Sequence, residues 1–304
     1  MSGPRPILRP PALRAGDLIG VAAPAGPFDN QRFRTGLTRL QALGFKTIFP
    51  EQIFERQGFL AGDDERRAQT LNALLADGEV KAVIGARGGY GSMRILDRIN
   101  YKRLRDAPKL VIGFSDLTAM LLAMHCRTGL VTFHGPVVSS LAEADQETVA
   151  YLGRLLTGET VFPIYLDGMK MIRPGRVTGP LIGGNLTLLT HLLATPWMPA
   201  TKGAILFLED TGEAPYRLDR MLTALRLAGI FRDCAGIILG HFLECGPESE
   251  IEAVLDRTLG DFSGPVVSGL PVGHGTRNLT LPLGPLAVLD TRAGVLDIGE
   301  PYLN

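Results

Sequence analysis

The feature that most constrains this chain is an alternation. Short apolar runs, at 80–86, 109–113, 204–208 and 236–240, are separated by longer stretches whose apolar residues recur at helical spacing. An apolar run of this length between turn residues reads as a strand buried on both faces, and an amphipathic stretch between two such strands reads as the crossover that makes them parallel. The chain is therefore expected to build a largely parallel sheet covered by helices.

Strands are expected at 18–23, 47–49, 80–86, 109–113 and 130–134, with helices at 30–43, 63–76, 93–98 and 117–127. Pro24-Ala25-Gly26-Pro27 breaks the chain after the first strand, and Gly44 and Gly129 stand where helices end on a left-handed residue. From 143 to about 176 the rhythm weakens around Pro163 and a basic turn near Lys170 and Arg173, then resumes. The expected organisation is an N-terminal α/β domain over 1–150, a linker over 151–178 and a second domain over 179–304. That second domain should hold helices at 185–193, 217–228 and 249–259, strands at 204–208 and 236–240, and a β-rich tail at 266–269 and 287–297. No repeat of fixed period is visible.

Composition removes several functions. The 304 residues suffice for about two domains with a core that needs no staples. The 31 Lys and Arg are balanced by 31 Asp and Glu, so the cationic surplus that phosphate binding needs is absent and no nucleic-acid partner is expected. Cys126, Cys234 and Cys245 are an odd number without a C-x-x-C pair, which suits neither a disulfide framework nor a zinc knuckle and points to a reducing compartment. The N-terminal MSGPRPILRPPALRAGD has no unbroken apolar segment, and no apolar run approaches the ~18 residues of a membrane span. A cytoplasmic protein with no membrane partner, cofactor or metal is expected.

In parallel α/β sheets, chemistry gathers at the carboxyl ends of the strands. The polar residues there are Arg87 with Gly88-Gly89-Tyr90-Gly91, Ser115 with Asp116, His134, Glu209 with Asp210, His241 and His274. Ser115, in KLVIGFSDLT, sits between an apolar strand and an apolar helix with Gly113 two residues before it, half of the G-x-S-x-G nucleophile elbow. Leu117 occupies the second glycine position, and on position alone Ser115 reads first as the cap of the helix that starts at Asp116. A nucleophilic serine needs a base, and His134, His241 and His274 each follow an apolar strand. Gly273 and Gly275 flank His274 and free its imidazole to face a cleft. The base needs a carboxylate on its other nitrogen; Glu209, Asp210 and Glu213 are the candidates, and spacing does not separate them. The stretch ARGGYGS lacks the G-x-G-x-x-G order and a P-loop lysine, so its paired glycines suit close approach to a substrate, or a plain turn, rather than a dinucleotide.

With those residues in view, the chain resembles the LD-carboxypeptidase family, cytoplasmic serine peptidases of murein recycling that include the microcin C self-immunity hydrolases. The resemblance runs through VAAPAGP, FLAGDDERR, ARGGYGSMRIL, IGFSDLTAML, TFHGP, GPLIGGNLTLL, LFLEDTGEAPYRLDRML and LPVGHG, in that order along nearly the whole length. It implies a nucleophile at Ser115, an acid at Glu209, a base at His274 and an oxyanion hole from the N–H groups of Gly89 and Asp116. It implies a flavodoxin-like, class I amidotransferase-like N-terminal sheet with helices on both faces, a C-terminal β-rich α/β domain, the triad split between them, and a homodimer. The implied substrate is a murein tetrapeptide, cut between an L-configured centre such as meso-diaminopimelate and D-Ala. The alternatives are a peptidyl nucleotide analogue of the microcin type, or a non-catalytic murein-peptide binding protein. The segment between Glu209 and His274 has no long insertion to enclose a nucleotide, which favours the murein peptide. Arg87, with Gly88, is a candidate for binding the free carboxylate of such a substrate.

Overall fold

The computed structural model describes residues 6–304. Residues 1–5, the start of the N-terminal stretch read above as lacking a signal segment, lie outside the described residues.

The first half alternates as expected: β1 (Leu18–Ala22), α1 (Asn30–Ala42), β2 (Lys46–Ile48), α2 (Asp64–Ala76), β3 (Val80–Gly85), α3 (Tyr101–Asp106), β4 (Leu110–Gly113), α4 (Thr118–Thr128) and β5 (Thr132–His134). The strands pair in parallel in the order β2-β1-β3-β4-β5. This is the flavodoxin-like order, whose direction of winding reverses between β1 and β3 and opens a crevice at their carboxyl ends. β4 is buried throughout and β3 nearly so, as strands covered on both faces must be. The covering helices are set by local signals. Asp29 caps α1 by accepting from Arg32 N at 2.8 Å, and Asp63 caps α2 by accepting from Arg66 N at 2.8 Å. Gly129, at φ 79°, ends α4 in the left-handed conformation. The helix expected at 93–98 is a 3₁₀ helix, Ser92–Arg98, and Leu43 rather than Gly44 takes the cap position of α1, with Gly44 one residue beyond at φ 92°.

The chain continues through α5 (Val138–Leu141), α6 (Gln146–Leu156), β6 (Ile164–Tyr165), β7 (Lys170–Arg173) and β8 (Arg176–Asn185). There follow α7 (Leu186–His191), β9 (Ile205–Thr211), α8 (Pro215–Leu227), α9 (Ile230–Asp233), β10 (Gly236–Leu243), α10 (Glu248–Leu259), β11 (Val266–Ser268), β12 (Leu281–Leu283), β13 (Leu286–Asp290) and β14 (Val295–Ile298). The second sheet runs β6-β14-β13-β8-β9-β10-β11-β7, with β8 to β11 parallel and antiparallel strands on either side. Residues 151–178, expected as a linker, supply the end of α6, β6, β7 and the start of β8.

Two elements bind the halves together. β12 leaves the second sheet's neighbourhood and pairs antiparallel with β5, so residues late in the chain complete the first sheet. α4 is buried on nearly every side from Thr118 to Met124, because Ile182, Leu186 and Leu189 of the second half cover the face that a sheet helix would otherwise turn to water.

Candidate active site

At the end of β4 the chain turns sharply. Phe114 is extended, Ser115 takes φ 61°, and a 3₁₀ turn at Ser115–Leu117 runs into α4. A left-handed non-glycine residue costs on the order of 1–3 kcal/mol and persists only where its surroundings impose it. Phe114, not Ser115, takes the N-cap position of that turn, so Ser115 does not sit where a capping residue would. Its Oγ lies 3.0 Å from His274 Nε2. The Arg87–Gly91 loop closes over this turn. A Cβ added at Gly88 would sit 2.8 Å from Ser115 Cβ, 2.9 Å from its Oγ and 3.4 Å from Asp116 N, so any side chain there would displace the serine. Gly89 follows at φ 99°, where an added Cβ would lie 3.4 Å from Gly26 Cα.

His274 reaches Ser115 from the second half. Its turn is tied down by Asn278, whose Oδ1 accepts from Gly273 N at 2.9 Å and whose N–H donates to Thr148 Oγ1 at 3.0 Å, and by Arg277, which donates to Asp145 at 2.7 Å. Nδ1–H of His274 donates to Glu209 Oε2 at 2.7 Å, and this bond fixes the tautomer that leaves Nε2 free to accept from the serine hydroxyl. Glu209 is 0% exposed at the end of β9. A Cβ at Gly273 would lie 2.6 Å from Glu209 Oε2, so glycine is required for the imidazole and carboxylate to meet. Burial draws the His274 pKa down, but the hydrogen bond and charge of Glu209 outweigh it and hold the imidazole above the usual histidine value of 6.5.

The other candidates are placed elsewhere. Asp210 follows Glu209 on the strand and faces the opposite side, where it accepts from Asn185 Nδ2 (2.9 Å), Thr187 N (2.9 Å), Thr187 Oγ1 (2.8 Å) and Thr211 N (2.9 Å). Burial raises its pKa. Glu213 pairs with Arg217 at 3.4 Å. His134 is fully buried between the rings of Phe114 and Phe207, and burial lowers its pKa to about 3. His241 stands beside Gly275, its pKa likewise lowered by burial; neither histidine is bonded to Ser115. Among the described residues no three His, Cys, Asp or Glu side chains gather as metal ligands, and no helix is long and apolar enough to cross a membrane.

A cavity of about 1090 Å³ opens onto Ser115 and His274. Its walls include Phe28, Phe54, Arg56 and Arg87, of which only Arg87 is among the sequence candidates. Phe28 lies just before α1, Phe54 ends a 3₁₀ helix at Glu51–Phe54, and Arg56 follows that helix, all at the crevice between β1 and β3. The breaker run after β1 marks that crevice, but it carries no polar residue before Asp29 to draw notice. Arg87 donates to Pro27 O, and its guanidinium carbon lies 3.9 Å from where a Gly89 Cβ would be. Arg87 and Arg56 form no ion pair among the described residues, whereas Arg32 is paired with Glu143 at 2.7 Å.

A buried carboxylate, an imidazole and a serine hydroxyl are therefore in hydrogen-bonded sequence at the mouth of the cavity, an arrangement suited to acyl transfer. Comparison with known proteins agrees. Residues 19–135 match the LD-carboxypeptidase N-terminal domain and residues 178–289 the LD-carboxypeptidase C-terminal domain. A probable murein peptide carboxypeptidase of Bacillus subtilis is 36% identical over 302 residues, covering 96% of this chain and 95% of the relative. The solved structure of MccF in complex with glutamyl sulfamoyl guanosine superposes with a TM-score of 0.91 at 28% identity, covering 98% of this chain and 100% of that one. The crystal structure of a muramoyltetrapeptide carboxypeptidase from Oxalobacter formigenes gives 0.84 at 33% identity, covering 94% and 100%. Both halves match in order and along nearly their full length, and the chain belongs to the LD-carboxypeptidase family of peptidases.

Proposed function

We propose that the protein is a serine LD-carboxypeptidase that removes the terminal D-Ala from murein tetrapeptides by a Ser115–His274–Glu209 triad. The observation that carries this reading is the unbroken chain from Glu209 Oε2 through His274 to Ser115 Oγ, at 2.7 and 3.0 Å, open to a cavity large enough for a peptide. Ser115 Oγ attacks the carbonyl carbon of the bond before D-Ala and passes its proton to His274 Nε2. The tetrahedral oxyanion is met by the N–H groups of Gly89 and Asp116. The imidazolium, stabilised by Glu209, then protonates the leaving amine, and water repeats the sequence on the acyl-enzyme. Arg87 stands beside the oxyanion loop as an unpaired cation suited to the free carboxylate of the departing residue, with Gly88 keeping the approach open.

Three cysteines, an odd number without a C-x-x-C pair, support action in a reducing cytoplasm; the family likeness supports peptides returned during wall turnover as substrates and a homodimer that needs no cofactor. The likeness to MccF supports a second reading, hydrolysis of a peptidyl nucleotide analogue in the same cavity. Incubation with a disaccharide tetrapeptide and with a glutamyl sulfamoyl nucleoside, followed by mass spectrometry, separates them. Release of one alanine from the tetrapeptide is expected. Cleavage of the nucleoside alone would favour the second reading, and failure of a fluorophosphonate to label Ser115 would leave a binding protein.

A further inference from the structure

The chemistry above uses only the N–H of Asp116, yet its carboxylate is 3% exposed and carefully met. It accepts from Ser92 N at 2.8 Å and from Gly91 N at 3.3 Å, while Ser92 Oγ donates to the Asp116 carbonyl oxygen at 2.6 Å. On the other side of Gly91 lies Arg67, 2% exposed, reaching in from α2. Its guanidinium donates to Gly91 O at 2.9 Å and to Pro24 O, and is balanced by Asp64 at 2.5 Å. Gly91 is thus held at its N–H by a buried carboxylate and at its C=O by a buried guanidinium. A third bond, from Gly26 N to Gly88 O at 3.1 Å, fixes the start of the same loop. Burying two charges is costly, and a turn that only reversed the chain would not call for it.

We propose that Asp116 is a positioning residue whose carboxylate, with Arg67 on the opposite side of Gly91, sets the spacing between the two oxyanion donors, the N–H groups of Gly89 and of Asp116 itself. The inference rests on the serine mechanism proposed above. One residue carries one donor on its backbone and holds the other donor's loop with its side chain, so any slackening of the side-chain bonds changes the gap directly. Such a change weakens contacts that form fully only as charge develops on the substrate oxygen, and leaves binding of the uncharged carbonyl nearly untouched.

Asp116→Asn keeps the shape but sets an amide N–H₂ against the N–H of Ser92 or Gly91. The expected result is a fall in kcat of about 10- to 100-fold, smaller than for deleting a donor outright, with KM within about twofold of wild type. The rate at which a fluorophosphonate labels Ser115 should fall by the same factor, because the phosphoryl oxygen enters the same hole whatever the natural peptide is. Arg67→Lys keeps the charge but cannot grip both carbonyls with a planar fork, and should show the same pattern at smaller size. A raised KM with unchanged kcat, or lowered thermal stability with unchanged kcat and labelling rate, would overturn the proposal. If Asp116→Asn does not fold, unchanged kcat and labelling in Arg67→Lys overturns it instead. A wild type that labels without releasing alanine defeats the substrate assignment, and the labelling rates still decide the role of Asp116. A wild type that does not label defeats both.

Discussion

The two strand ends that meet at the cavity are built in opposite ways. At the end of β4 everything needed to present Ser115 lies within a few residues: an extended Phe114, a left-handed serine and a 3₁₀ turn into a buried helix. At the end of β9 nothing is local. Glu209 meets a histidine 65 residues later, and the turn holding that histidine is anchored to Thr148, 130 residues before Asn278. The first arrangement stores strain in one residue; the second spends long-range contacts on orienting one ring. A fault in the first should therefore remove chemistry without loosening the fold, whereas faults in the second should divide into those that disorient the ring and those that loosen its support.

The largest effect tests the first half of that contrast. Ser115→Ala should lower kcat/KM by about 10⁴-fold or more while the protein stays folded. Ser115→Gly should be equally inactive yet more stable than the alanine variant by about 1 kcal/mol, because glycine takes φ 61° without strain. Thermal melts of the pair check this, and a glycine variant that melted lower would show that the turn is not strained.

The adjacent carboxylates sharpen the second half. Glu209→Gln should cut turnover by about 10³- to 10⁴-fold with little change in stability. Asp210→Asn should keep turnover within about tenfold but lose roughly 2–3 kcal/mol, since it disturbs a buried acceptor of four hydrogen bonds. Kinetics and denaturant unfolding of both variants would reveal a reversed order, which would place the acid at Asp210.

The smallest effects lie in pH dependence, where two histidines near one ring of Phe114 have opposite signs. In the proposed mechanism only neutral His274 can take the serine proton, so kcat/KM should rise with pH through an ionisation above 6.5, and Glu209→Gln should move that ionisation down. For folding, the raised His274 value stabilises below pH 6.5, and the gain is lost as pH rises through the folded-state value. His134 does the reverse. Its folded value is about 3, so between 6.5 and 3 the unfolded chain binds a proton that the folded protein refuses, and stability falls with pH by up to ~1.4 kcal/mol per unit. His134→Leu should flatten that acid limb in unfolding experiments without shifting the pH profile of turnover.

The same contrast governs what the residues alone could disclose. The β4 turn is local, so Gly113 and Ser115 between an apolar strand and an apolar helix mark it in the sequence. The β9 end is not. Glu209 and Asp210 differ only in which face of the strand they take, and that parity depends on pairing with β8, which hides among Gly179, Pro180, Gly183 and Gly184 in a segment that reads as turns. β12 is equally concealed: three residues containing Pro282 carry no strand signal and gain one only from β5 beside them. Residues 151–178 read as a linker because β6 and β7 are short and lie at the sheet's margins, where half-polar faces blur the pattern.

That β12 completes the first sheet bears on the timing of synthesis. A ribosome adding roughly 5–20 residues per second makes Ser115 some ten to thirty seconds before residues 281–283 exist to pair with β5. Until residues 273–278 exist to be anchored on Asp145, Thr148 and Glu209, Ser115 has no imidazole beside it, and the nascent chain displays an ordinary hydroxyl. In the serine mechanism proposed above, a chain stopped before residue 274 would thus carry the strained serine turn with no base to activate it.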